Sequence, residues 1–574
     1  MRVSPVTGSG SHRGPAVTFA IDPGSLDRAL DDACVRLAQS QFIDALWTRR
    51  LDVWTSDAGV QRAIGRRLGW LDAIDTMRPH VARLRAFGEA VSREGFTDIV
   101  LLGMGGSSLA AETLRSVVGP APGSPRFHML DSVDPDAVRA AMARAHTSLF
   151  VVASKSGSTI EVTALAAEAE QRVRAAGTSD SGPHFVAITD ANTVLHRRAV
   201  EGRFRDVFLN PADVGGRFSA LTFFGLVPAA LMGIDVDALI ASAQPMVEAC
   251  RLPDSRRNPG VALGAVLAAA AAAGRDRLTL RFPDALASLG LWIEQLIAES
   301  TGKDGKGIIP IVGEPSDVAH GDDRIIVELM SEGSAAHVLA ESARLPSHAP
   351  LDRPQVRLVY DGLGAEFFRW EIASATAGFL LGVNPFDEPN VQQSKDATRA
   401  LLDTYAAKRQ LPVPEAHVTI DNVSITLSAA VRARAADRLP PLRRLLGPRD
   451  YFALLAYLPT DESHVAPTFQ GFRAAVATTT GCATTLGFGP RYLHSTGQLH
   501  KGGPNTGVFV IVTVDAAEDL PVPGEPYSFG VLEMAQAIGD FQALDRLGRR
   551  ALLMRLPRRD QGLLQGVTHA LLTA

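Results

Sequence analysis

Asp98-Ile99-Val100-Leu101-Leu102 runs into Gly103-Met104-Gly105-Gly106-Ser107-Ser108, and a helical pattern resumes from there to Arg115. A short apolar run that breaks on glycines and continues as a helix reads as a buried strand, a tight turn and the helix packed over it. Outward from this unit, similar runs stand at 127–130, 148–153 and 185–188, each separated by a helix-length segment. Buried strands alternating with helices imply a parallel sheet covered on both faces.

A second block begins after an alanine-rich stretch at 261–273, with strands expected at 277–282, 308–312, 324–329 and 356–360. A third runs from about residue 450 to the end, with strands at 451–458 and 508–514. Residues 23–94 carry apolar positions at spacings of three and four and read as helical. Residues 1–17 read as a loose tail and 401–416 as a connector. The fold class is therefore α/β: two parallel-sheet αβα sandwich domains, an N-terminal helical segment and an additional C-terminal α/β region. The expected boundaries are 1–94, 95–245, 246–404 and 405–574.

A chain of 574 residues is too long for one core at ~150 residues per domain. Its 46% hydrophobic and 21% charged residues exclude a disordered or fibrous chain. A net charge of −5 gives no global positive field for nucleic acid. Three separated cysteines without a CxxC pair argue against a disulfide framework or a zinc site and fit a reducing cytoplasm. The alanine run falls short of the ~20 residues a bilayer requires, so no membrane association is expected.

Two loops carry phosphate chemistry. The first, 103–108, opens a helix whose free N–H groups and dipole suit an anion. It nearly matches GxGxxG, with Ser108 at the third glycine and Asp131 where a ribose-binding acid would stand, so a nicotinamide dinucleotide is an alternative. A strand-to-helix turn without a ligand is the plainer one. The second, Ser154-Lys155-Ser156-Gly157-Ser158-Thr159, offers four hydroxyls and an ammonium at a helix start. An N-cap explains one or two of those hydroxyls, not the whole set. Together the loops favour a phosphorylated sugar over a dinucleotide.

Three further pieces lie downstream. Gly215-Gly216-Arg217-Phe218-Ser219 puts fixed positive charge on a turn, where it could stabilise an oxyanion, although a surface arginine is the commoner case. In the helix expected over 292–302, Gln295 and Glu299 are i, i+4 and share a face, while Glu294 points elsewhere. A glutamate at such a helix end is usually solvated, and a general base there needs a pKa raised toward 7 by burial. Asp387 and Glu388 precede a helix bearing Gln392, Gln393 and Lys395. His494 and His500, six apart, have no ligand-type neighbours, so no metal constellation emerges.

Taken together and in this order, the motifs resemble the phosphoglucose isomerase family, built from sugar isomerase (SIS) domains, over residues 98–401. LLGMGGSSLA resembles its GIGGS loop, placing Gly106 and Ser107 at the substrate. SKSGSTIEV resembles its SKTFTTxET phosphate loop, placing Ser154, Lys155, Ser156 and Thr159 around the phosphate and Glu161 at the terminal glutamate. GGRFS resembles GGRxS, with Arg217 stabilising an enediolate. EQLIAESTGK resembles QxxxESxGK, with Glu299 as the base between C1 and C2 and Gln295 beside it. NPFDEPNVQQSK resembles FDQxGVExGK, with Lys395 as the ring-opening lysine and Glu388 where the family has glutamine.

One departure concerns ring opening. Where the family's GTNGQHA segment carries a histidine, this chain has Glu366. Glu366, His320, His494 or His500 could take that role, from this chain or a neighbouring subunit. The resemblance is closest to the isomerase half of transaldolase fusions, which share FRWEIA, FDEPNV and HSTGQLHKGGPNTG. About 95 residues before the first loop are too few for a transaldolase barrel of ~250. The resemblance implies a cofactor-free aldose–ketose isomerase acting on glucose 6-phosphate and fructose 6-phosphate through a cis-enediol. It also implies a cytoplasmic homodimer and a pathway association with transaldolase. A non-catalytic SIS-domain sugar-phosphate-binding protein is the alternative.

Overall fold

The computed structural model describes residues 2–3, 19–315, 321–330, 353–435, 438–459 and 465–573. Three sheets carry the fold. The first has five parallel strands in the order Arg126–Leu130, Asp98–Gly103, Ser148–Ala153, Phe185–Thr189 and Asp206–Leu209. Its last strand, half-exposed and only four residues long, carries too weak an apolar run to stand out in the sequence. The chain goes from Asp98–Gly103 to one neighbour, then crosses to the other side at Ser148–Ala153. Ligands in such sheets bind where the order reverses, outside the carboxyl ends of the two flanking strands. The loops 103–108 and 154–159 are the two that leave those ends.

The second sheet runs Gln355–Val359, Arg324–Met330, Arg277–Arg281 and Ile309–Ile311, all parallel. Phe19–Asp22 adds to it antiparallel, and Arg2–Val3 pairs with Phe19–Asp22 in turn. The N-terminal segment thus joins the second layer before its helices begin. The rest of the expected tail lies outside the described residues. The alanine-rich stretch forms the helix Pro259–Ala272, packed against Leu363–Leu381.

The third sheet places Val418–Ile420, Val423–Leu427, Arg550–Leu556, Gly507–Val514, Tyr451–Ala456 and Ala483–Phe488 side by side. The last four are parallel, and Val418–Ile420 and Val423–Leu427 form an antiparallel hairpin on the edge. Its turn residues Asp421 and Asn422 both have positive φ, as a tight hairpin turn demands. The expected connector at 401–416 is in part a helix, because Pro389–Lys408 continues with Leu401 and Leu402 buried. Among the described residues no helix is long and apolar enough to cross a membrane.

Candidate active site

The first loop and the arginine turn are pressed together. A Cβ on Gly106 would lie 2.3 Å from the carbonyl carbon of Gly216, so only glycine permits the approach. Ser219 Oγ donates to Gly106 O at 3.3 Å across the same junction. The contact sets the buried Ser107 beside Arg217. The helices Leu109–Val117 and Ile160–Ala175 both start without a side-chain cap, leaving their first N–H groups for an anion.

Arg217 spends every arm of its guanidinium on the site. Nε donates to Ser300 Oγ at 2.9 Å, Nη2 to the carbonyls of Pro385 (2.6 Å) and Asp387 (2.9 Å). Nη1 donates to Glu388 Oε2 at 3.0 Å and to Glu299 Oε2 at 3.3 Å. One buried cation therefore ties its own turn to the helix Ala287–Thr301 and to the 385–388 turn.

Glu299 is 6% exposed, not the solvated helix-end glutamate its position suggests. Burial pushes its carboxyl up to about 7, and the repulsion of Glu388 assists while Arg217, His494 and Lys303 oppose. Gln295, one turn earlier on the same face, donates from Nε2 to His494 O at 2.8 Å. Glu294 faces the Arg491 and Arg473 side of the helix. Lys303, which sequence reasoning did not single out, is buried and bonded to Asp387 Oδ1 at 2.8 Å and to the carbonyl of Asn384. Burial, reinforced by Arg217, brings its ammonium down to about 8.

In the second loop, Ser154 Oγ and Thr159 Oγ1 share a hydrogen bond of 2.9 Å, and Gly157 N donates to Ser154 Oγ at 3.1 Å. Ser156 and Ser158 are exposed, with Ser158 N and Oγ both donating to Ser156 Oγ at 3.3 Å. Lys155 turns away from the hydroxyls: its Nζ bonds Asp190 Oδ2 at 2.5 Å and Ala212 O at 3.2 Å. A cavity of about 60 Å³ lies beside this loop, lined by Ser158, Thr159, Glu161, Lys395 and His494. Lys395 is on its exposed side.

The site thus gathers Gly106, Ser107, Arg217, Gln295 and Glu299 through direct contacts. His494, whose carbonyl Gln295 holds, lines the cavity that Thr159 and Lys395 share, and Thr159 in turn bonds Ser154. Glu366 stands apart. It is fully buried in Leu363–Leu381 beside Arg369 at 3.3 Å, and Arg369 also holds Asp361 at 3.0 Å. Burial pushes its carboxyl up to about 7. The substitution that puts Glu366 at the histidine position therefore leaves it in a helix core, paired with a buried arginine. His500 is likewise buried, 5.0 Å from the Phe509 ring, and burial with Lys501 and Arg549 drives its imidazole well below the usual range. His320 lies outside the described residues.

Two parallel-sheet layers with hydroxyl-rich loops at the switch point, facing a buried glutamate–arginine pair, define the class of sugar isomerase (SIS) folds. The family model for phosphoglucose isomerase matches residues 71–310. A glucose-6-phosphate isomerase of Synechococcus sp. is 30% identical over 383 residues, which is 57% of this chain and 72% of that protein. One of Rubrobacter xylanophilus is 29% identical over 377 residues, 57% of this chain and 87% of that protein. The chain belongs to the phosphoglucose isomerase family. Among solved structures, a hypothetical protein from Thermus thermophilus superposes with a TM-score of 0.55 at 25% identity. It covers 67% of this chain and 99% of its own. A glucose-6-phosphate isomerase from Chlamydia trachomatis shares the fold, with a TM-score of 0.52 at 19% identity over 69% of this chain and 89% of its own.

Proposed function

We propose that this cleft interconverts glucose 6-phosphate and fructose 6-phosphate through a cis-enediol. The observation that carries the reading is Glu299: a buried carboxyl with a pKa of about 7, one hydrogen bond from a fixed guanidinium. A base with a pKa near the working pH is both available and strong enough to take a carbon-bound proton.

In this reading the phosphate sits among Ser107, Ser154, Ser156 and Thr159 at the two uncapped helix starts. Binding there is remote from the reacting carbons and orients C1 and C2 toward Glu299. Glu299 takes the C2 proton of the open-chain aldose and delivers it to C1. Arg217 supplies the charge that the developing oxyanion needs, already in place before reaction. Gln295 fixes the near wall. Lys395, which lines the cavity beside the second loop, protonates the ring oxygen during opening.

Residues 95–245 then hold the phosphate, 246–404 supply Glu299 and Lys395, and 405–574 form an extension. A cytoplasmic homodimer belongs to the same reading, and sedimentation tests its oligomeric part. The activity itself is tested by a coupled assay of glucose 6-phosphate formation from fructose 6-phosphate with EDTA present. Turnover supports the isomerase; binding of both sugars without turnover supports a sugar-phosphate-binding protein instead.

A further inference from the structure

We propose that the C-terminal region carries a second binding site, separate from the catalytic cleft, for a nucleoside monophosphate. The site lies outside the 71–310 segment that matches the family and goes beyond the isomerase reading above.

A cavity of about 800 Å³ opens at the carboxyl ends of the neighbouring parallel strands Gly507–Val514 and Arg550–Leu556. Small-molecule sites run from about 300 to about 1,000 Å³, and open α/β sheets place them outside such strand ends. One wall is the end of the helix Pro389–Lys408 with the connector 409–413, and the other is the start of the helix Phe529–Arg546. The same two helices border the catalytic cavity through Lys395 and Gln536, but no described residue lines both cavities.

The lining divides by chemistry. Leu411, Val413 and Met534 make it apolar, and the half-buried Tyr405 supplies a ring on which a planar base can stack. Lys408, Arg409 and Arg555 add three cations. Asp515 neutralises Arg555 through bonds of 2.7 and 3.0 Å. Asp519 is taken up by Ser528 Oγ and by the backbone N–H groups of Leu520 and Gly530. Lys408 and Arg409 remain, both exposed and consecutive, and together they match the charge of about −2 on a phosphate monoester.

Glu533 addresses the other end of the ligand. It is 6% exposed, lines the cavity, and its Oε1 has no hydrogen-bond partner among the described residues. An orphaned carboxyl oxygen is costly to bury, and beside a cavity it calls for a partner that arrives with a ligand. Burial drives the carboxyl well above its usual range, with Asp134 adding to the effect and Arg559 opposing it. A protonated carboxyl both donates and accepts. That pair matches the edge of a nucleobase, where an N–H stands beside a ring nitrogen or a carbonyl. A sugar phosphate offers neither such an edge nor a flat face for Tyr405, so the lining favours a nucleotide over a second copy of the substrate.

Titration calorimetry of the full chain with AMP, GMP, CMP and UMP in turn, at saturating fructose 6-phosphate, tests the site without relying on turnover. At least one nucleotide should bind, one per chain, and its nucleoside and inorganic phosphate should each bind ~10-fold or more weaker, since each makes part of the contacts. Lys408→Glu and Glu533→Leu should each weaken the nucleotide by ~10-fold or more. Glu533→Gln, whose amide keeps one donor and one acceptor, should stay within ~3-fold of wild type. Should Glu533→Leu not fold, Tyr405→Ala takes its place and must show the same loss. Binding by none of the four nucleotides overturns the proposal. So does displacement by fructose 6-phosphate, which puts the nucleotide in the catalytic cleft, or inorganic phosphate that binds as tightly as the nucleotide. Affinity unchanged by Lys408→Glu overturns it as well.

Discussion

Arg217 Nη1 stands closer to Glu388 Oε2, at 3.0 Å, than to any oxygen of the glutamate assigned as the base. Burial would raise the Glu388 carboxyl, yet Arg217 holds it below the usual range. Glu388 therefore takes the larger share of the guanidinium's charge and adds its own negative field near Glu299. Burial raises the Glu299 carboxyl to about 7, and Glu388 assists it against Arg217.

The first prediction follows from that pair. Catalysis needs Glu299 as carboxylate, so kcat/KM falls as pH drops through about 7. Glu388→Gln removes a repelling charge and frees Arg217 for Glu299, and both changes lower the base's pKa. The acidic limb of the kcat/KM profile should move to lower pH relative to wild type. Substrate phosphate titrates identically in the two enzymes and drops out of the comparison. A limb that stays put or moves upward contradicts this electrostatic account.

Gly106→Ala tests the loop junction. The new Cβ would meet the Gly216 carbonyl carbon at 2.3 Å and its oxygen at 2.4 Å, both backbone atoms that cannot swing aside. Separating the loops displaces Ser107 from Arg217, and a shift of that order can cost ~10²-fold in turnover. Steady-state kinetics with a thermal melt reads the result: activity should fall much further than stability. Near-wild-type kcat/KM would show that the two loops need not touch.

Glu371 gives a prediction about stability. It is buried in Leu363–Leu381, its Oε1 has no hydrogen-bond partner, and burial alone drives its pKa well above the usual value. A folded-state pKa above the unfolded one means stability is fully present below the unfolded pKa and is lost as pH rises toward the folded one. Glu371→Gln carries no such proton, so its melting temperature should exceed wild type by a margin that widens from pH 6 to pH 8. A constant or shrinking margin contradicts a proton held on Glu371.

Much of this was legible from local pattern. The strands at 98–103 and 148–153 are continuous apolar runs ending in glycine or serine, so their loops and helices announce themselves. Glu299 could be paired with Gln295 by helical spacing. Its burial could not, because that depends on the 385–388 turn, which Arg217 brings in from 168 to 170 residues away. Lys303 lies just past the helix expected over 292–302, and only the fold shows it bonded to the carbonyl of Asn384. The Glu161–His494 bond spans 333 residues and joins the first sheet's layer to the third. No periodicity reports such a contact.

The central claim is that Glu299 moves a proton between adjacent carbons of the substrate, and proton NMR of fructose 6-phosphate turned over in D₂O tests it most directly. The account predicts that wild-type enzyme places deuterium at C1 of fructose 6-phosphate and C2 of glucose 6-phosphate. Glu299→Gln should slow that incorporation by ~10² or more. Isomerisation by wild type without deuterium at either carbon over many turnovers, or incorporation by Glu299→Gln at the wild-type rate, would contradict it.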